Sequence, residues 1–151
     1  MLRIRDIMST DVFSLEADAS AEEAAWALTR RHIGGAPVLN KEGQIVGVIS
    51  QSDLLNPERS QWLKRKATVE DLMHPDILLL HAEDSALAAA IGMAEHHVHR
   101  LVVVDEHRRM VGIVTTMDIA RAVANGSDFK APRDARLTPS VPLVIGDLVR
   151  R

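Results

Sequence analysis

At 151 residues, with 46% hydrophobic and 26% charged side chains, the chain has ordinary globular composition and enough length to bury a core, which excludes a disordered, collagenous or coiled-coil protein. It contains no cysteine, so a disulfide framework, a thiolate metal site and a cysteine nucleophile are excluded together. A net charge of −3 with 3% aromatic residues and no tyrosine supplies neither a basic field for a nucleic-acid backbone nor stacking platforms for bases.

From the N-terminus, Arg3, Arg5 and Asp6 place charge where a signal peptide needs an apolar stretch, and no apolar run approaches the roughly 20 residues of a membrane span. The expectation is a soluble cytoplasmic protein without a membrane partner. An extended segment follows over Val12–Leu15. Ser20 with Glu23 three residues on is a capping-box signature, and Ala21, Ala24, Ala25 and Leu28 then mark one helical face. Two short strands are expected over Ala36–Leu39 and Ile45–Ser50, joined by the turn-rich Asn40-Lys41-Glu42-Gly43, and a second helix begins near Ser52. Residues 57–69 read as a solvated linker carrying Arg59, Lys64, Arg65 and Lys66, with Trp62 as an anchor and Thr68 with Asp71 as the cap of a short helix.

The same order then returns. Ile77–Leu80 is extended, Ala86, Ala89, Ala90 and Met93 mark a helical face, Leu101–Val104 and Met110–Thr115 are strands, and a helix starts near Met117. A shift of 65 residues superposes the two halves without a gap. Between positions 6 and 53, 14 of 48 residues are identical at that offset, including Asp6 with Asp71, Met8 with Met73, His32 with His97, Gly47 with Gly112 and Asp53 with Asp118. Such self-similarity marks a repeated unit. One unit of about 50 residues is small for a core of its own, so the pair is expected to form one folding body. The units span 1–56 and 70–124, with 57–69 between them. Asn125-Gly126-Ser127 stops the last helix, and the tail 125–151, broken by Pro132, Pro139 and Pro142, lies outside the repeat. Leu143-Val144-Ile145 in that tail suits either an added strand or docking in a groove.

Gly47-Val48-Ile49-Ser50-Gln51-Ser52-Asp53 and Gly112-Ile113-Val114-Thr115-Thr116-Met117-Asp118 share one pattern: glycine, two aliphatics, a hydroxyl residue, two variable positions and an aspartate. With Asp6-Ile7-Met8 and Asp71-Leu72-Met73 opening the units, the chain resembles a tandem pair of CBS domains, the Bateman module. Val98-His99-Arg100-Leu101-Val102-Val103-Val104-Asp105-Glu106 is similar to a CBS repeat of the AMP-activated protein kinase gamma subunit. The resemblance covers roughly residues 3–124. It implies an α+β fold of two β-α-β-β-α units packed as a pseudo-twofold pair through their sheets. It further implies a cleft that binds an adenosine-containing ligand: AMP, ADP or ATP, with S-adenosylmethionine and NAD as weaker candidates and no required cofactor. A regulatory role, a homodimer and a separate effector protein belong to the same expectation.

The motif chemistry is compatible with such a ligand. A carboxylate can accept a hydrogen bond from each of two neighbouring ribose hydroxyls. Ser50 and Thr115, beside exposed amides of a helix start, suit a phosphate. Asp, Ser and Thr are also ordinary helix caps, so capping remains the structural alternative. By resemblance, one site gathers Ile113, Thr115 and Asp118 with Ile33, Gly34, Gly35 and His99, bordered by Thr10 and Val12. The second gathers Val48, Ser50 and Asp53 with Ile77, Val98 and Arg100. Arg100 offers a planar fork for phosphate oxygens, and the two glycines stand where the other unit has His99-Arg100.

Three other functions stay open at this level. A metal sensor would use His96, His97 and His99, with His32, His74, His81 and His107 elsewhere. Catalysis finds no nucleophile elbow, phosphate loop or paired carboxylates, so an enzyme is not expected. An interaction module with empty clefts is the main rival.

Overall fold

The computed structural model describes residues 1–55, 66–75 and 77–130. The linker residues Arg59, Trp62, Lys64 and Arg65, and the part of the tail from 131 to 151 with its three prolines and Leu143–Ile145, lie outside the described residues.

Twelve elements are described: α1 Ile4–Ile7, β1 Leu15–Glu16, α2 Ala21–Arg30, β2 Gly35–Leu39, β3 Ile45–Ser50, α3 Gln51–Leu55, α4 Val69–Leu72, β4 Leu79–His81, α5 Ala86–His96, β5 Arg100–Val104, β6 Met110–Thr115 and α6 Thr116–Ala124. They build two three-stranded sheets, β1-β2-β3 and β4-β5-β6. Each has a parallel first pair and an antiparallel hairpin, with a register shift at the same place, between Val38 and Leu39 and between Val103 and Val104. The chain is mixed α+β with two units of one design. Among the described residues, no helix is long and apolar enough to cross a membrane.

Local chemistry accounts for the helices. Ser20 and Ser85 cap α2 and α5, each hydroxyl accepting a backbone N–H three residues on at 3.0 Å. The small faces Ala21-Ala24-Leu28 and Ala86-Ala89-Met93 are buried, and Ala88 and Gly92 join the second. Both helices end before a histidine in the left-handed region, His32 at φ 53° and His97 at φ 54°. Histidine is enriched there among non-glycine residues, so the repeated histidine has a backbone cause.

The compact bodies are not the sequence repeats. Residues 1–12 fold with 78–130, and 13–55, 66–75 and 77 form the other body. In the first, Ile4 and Arg5 donate their N–H groups to the Asp84 and Ala82 carbonyls, both at 2.9 Å, and Ile4 is fully buried beside Leu80, Leu101 and Val103. In the second, Val69 and Glu70 make the matching bonds to Ala19 and Ala17 at 2.8 and 2.9 Å, and Val69 and Leu72 enter the core of Leu15, Leu28, Val38 and Ile49. The segment that opens each repeat therefore closes the core of the other. The paired part of each first strand is short. Within the expected extended segment Val12–Leu15, ladder pairing begins at Leu15. Likewise β4 begins at Leu79, past the expected Ile77.

The two hairpin turns are near copies. Asn40 Oδ1 accepts from the N–H groups of Glu42 and Gln44, at 3.0 and 2.9 Å. Asp105 Oδ1 accepts from His107 and Arg109, at 2.8 and 2.9 Å. The Arg109 bond, against some opposing desolvation, and then the His107 bond hold the Asp105 carboxyl below its usual range. One position differs: Gly43 has φ 78°, and its counterpart Arg108 has φ 61°. A side chain in this region is strained by roughly 1 kcal/mol or more. Arg108→Gly is expected to stabilise the protein by roughly 0.5–1 kcal/mol after the flexibility of unfolded glycine is counted. The midpoint of urea unfolding checks this, and an unchanged or lower midpoint would contradict it.

Candidate functional site

The paired motifs meet within each body. Ser9 and Ile113 exchange backbone hydrogen bonds, both at 2.9 Å, and His74 and Val48 do the same at 2.8 and 3.0 Å. Each bridge lays the residue after an Asp-x-Met opening against the residue after a motif glycine. A Cβ on Gly112 would lie 2.8 Å from the Ser9 carbonyl oxygen and 2.9 Å from Met8 Sδ. A Cβ on Gly47 would lie 2.8 Å from the His74 carbonyl oxygen and 2.6 Å from Met73 Sδ. The methionine and the glycine of the two motifs thus answer to one close approach.

The same bridge fixes the neighbourhood of each aspartate. In the first body, Thr115 ends β6 and caps α6. Its N–H and its hydroxyl both donate to Asp118 Oδ2, at 2.8 and 3.0 Å, and its Oγ1 accepts from the Asp118 N–H at 3.2 Å. Asp118 is 8% exposed. Its Oδ1 has Arg121 Nη1 at 3.4 Å, a long contact from an arginine side chain that is 70% exposed.

In the second body, Ser50 ends β3 before α3. Its N–H and hydroxyl donate to Asp53 Oδ2 at 2.8 and 3.0 Å, and its Oγ accepts from the Asp53 N–H at 3.3 Å. Asp53 is 7% exposed. Its Oδ1, however, lies 2.6 Å from His74 Nε2. Both aspartates are therefore caps through Oδ2. Capping and ligand binding are compatible because a carboxylate has about four acceptor positions.

The remaining expected site residues sort by body. Thr10, Val12, Val98, His99, Arg100, Ile113 and Thr115 share the body of Asp118, and Ile33, Gly34, Gly35, Val48, Ser50 and Ile77 share that of Asp53. Thr10 adjoins the Ser9 bridge. The His99 carbonyl accepts from the first helical N–H of α6, Thr116, at 3.0 Å, and the Gly34 carbonyl accepts from Gln51 at 2.9 Å. His99 and Gly34 thus do the same backbone work, while only His99 presents a side chain there. Arg100 pairs in register with Thr115, and Gly35 with Ser50. Arg100 is half-buried, and burial lowers its pKa from the ordinary arginine value.

The contact from His74 to Asp53 was not among the expected site features. Its position in the repeat is the available signal: His74 directly follows Met73 and matches Ser9 at the 65-residue offset. Of the clustered histidines, His97 closes α5, and His96 and His99 are exposed beside it. Among the described residues, no three His, Asp or Glu side chains are grouped to hold a metal ion.

The model of the CBS domain family matches residues 4–57 and 69–125. CBSX2, solved in complex with AMP, aligns at a TM-score of 0.75 and 26% identity, over 83% of this chain and 98% of that one. The CBS domain pair of protein MJ0100, solved in complex with 5′-methylthioadenosine and S-adenosyl-L-methionine, aligns at 0.72 and 28% identity, over 84% and 99%. L-aspartate semialdehyde sulfurtransferase of Methanocaldococcus jannaschii is 30% identical over 118 residues, which are 78% of this chain and 22% of that protein. The chain thus spans less than a quarter of that relative's length.

Proposed function

Because the chain belongs to the CBS domain family, we propose that it is a regulatory module whose Asp118 carboxylate holds the ribose of an adenosine-containing ligand. The observation that carries this is the state of Asp118. It is a buried carboxylate with one oxygen committed to the α6 cap and the other, among the described residues, touched only by a long arginine contact. Such an oxygen can accept from a ribose hydroxyl without dismantling the helix start. Thr10, Val12, Ile113 and His99 share its body and are proposed to border the ligand. The adenosine ligands of CBSX2 and MJ0100 support the ligand class. AMP, ADP and ATP are the first candidates and S-adenosylmethionine the next. The activity of the longer sulfurtransferase is not carried over, and no catalysis is part of the proposal.

A ligand changes the module only through unequal affinity for two states of it. The proposed recipient of that change is a separate effector protein, and the proposed state is a cytoplasmic homodimer. A second reading, an interaction module without a ligand, is favoured by the exposed Trp26, Met117 and Val123, at 64%, 57% and 61%.

A thermal-shift panel on ligand-stripped protein separates the two. AMP, ADP, ATP, S-adenosylmethionine and 5′-methylthioadenosine are each added at about 100 times an expected micromolar dissociation constant. Binding at that ratio adds roughly 2.7 kcal/mol and raises the melting temperature by several degrees. A rise with at least one of them is expected. No rise with any, repeated by equilibrium dialysis, favours the interaction module.

A further inference from the structure

The two aspartate sites differ in what meets Oδ1, His74 at 2.6 Å on Asp53 and Arg121 at 3.4 Å on Asp118, and we infer that His74 selects which of them takes ligand. This rests on the proposed role of Asp118. Asp53 and Asp118 are equally buried and share the same cap through Oδ2. At the position that bridges each motif, Ser9 stands in one body and His74 in the other. Ser9 makes no side-chain hydrogen bond to Asp118, whereas His74 Nε2 sits 2.6 Å from Asp53 Oδ1. That is a short contact to the carboxylate oxygen corresponding to the one that on Asp118 meets only the long Arg121 contact among the described residues.

The His74 backbone is pinned by two hydrogen bonds to Val48, so the imidazole is delivered to Asp53 by the fold rather than by chance proximity. Its side chain is 64% exposed, so it has solvent to swing into. A ribose can reach Asp53 Oδ1 only by displacing it, which costs the site a short contact of 2.6 Å, whereas the Asp118 site gives up at most the long 3.4 Å contact of Arg121. His74 is thus a specificity-determining residue: it keeps the Asp53 site weak and leaves Asp118 as the primary site.

The test is calorimetric titration of AMP into wild type, His74→Ser and the double variant His74→Ser with Asp53→Asn. The His74→Ser variant keeps the backbone bridge, because serine already occupies this register as Ser9. Wild type is expected to bind one AMP per chain. His74→Ser gains a second site at least tenfold tighter than any second site of wild type, and adding Asp53→Asn removes it. A direct readout accompanies this: the side-chain ¹⁵N resonance of His74 is expected to move on Asp53→Asn and to stay on Asp118→Asn.

Two equal sites in wild type, or an unchanged single site in His74→Ser, overturns the role of His74 and leaves the Asp118 proposal standing. No AMP bound by either protein overturns the Asp118 proposal for this ligand and takes the role of His74 with it.

Discussion

Gly112→Ala is expected to destabilise the protein by about 1–3 kcal/mol, and Gly47→Ala by a similar amount, the scale of forcing an extra methyl group into a packed interior. Both glycines face a backbone carbonyl that cannot retreat. The Ser9 carbonyl oxygen would lie 2.8 Å from a Cβ on Gly112 while it accepts from the Ile113 N–H at 2.9 Å. The His74 carbonyl oxygen would lie 2.8 Å from a Cβ on Gly47 while it accepts from the Val48 N–H at 3.0 Å. Relief therefore requires breaking the bridge. The methionine sulfurs at 2.9 and 2.6 Å are less binding, because a thioether can rotate away. Trimming Met73 alongside Gly47→Ala is accordingly not expected to restore stability. Urea unfolding measures the loss. A change under about 0.5 kcal/mol, the range of neutral surface substitutions, would show that the close approach is not what the glycines serve.

Asp118→Asn is expected to weaken binding of the adenosine ligand by roughly ten- to a hundredfold. A hydrogen bond to a charged group is worth about 1.5–3 kcal/mol, and each 1.4 kcal/mol is tenfold in affinity. The fold should survive. Thr115 Oγ1 still accepts the backbone N–H of residue 118, and an asparagine oxygen can still accept from the Thr115 N–H. Helix content by circular dichroism is the control, and the dissociation constant by calorimetry is the readout. Equal affinity in variant and wild type would return Asp118 to a capping role alone.

Much of this architecture is legible in the sequence. The repeat at a 65-residue offset, the serine caps at positions 20 and 85, and the hairpins either side of Asn40 and Asp105 are local signals, and local hydrogen bonds enforce them. The cap at Thr68 and Asp71 was legible for the same reason. The equivalent helix at Ile4–Ile7 was not, because Arg3 stands where the polar cap would be and only Asp6 carries the bond, accepting from the Arg3 N–H at 2.8 Å. The exchange of opening segments was also hidden. Asp-x-Met and the motif glycine were both visible, but nothing in their spacing says that Met8 meets Gly112 rather than Gly47. That choice is made by distant packing, as is the left-handed backbone at Arg108, which an arginine does not advertise. The aspartates were legible as a motif. That they differ, one held closely by His74 and one met by the long Arg121 contact, depends on a contact between residues 21 positions apart.

The most direct measurement of the ribose contact is a double cycle: AMP and 2′-deoxy-AMP titrated into wild type and Asp118→Asn. In wild type, loss of the 2′-hydroxyl is expected to weaken binding about tenfold or more. In Asp118→Asn the two ligands are expected to bind with nearly equal affinity, because the group that distinguishes them has lost its charge. If the deoxy ligand is penalised equally in both proteins, Asp118 does not hold the ribose and the proposed site lies elsewhere.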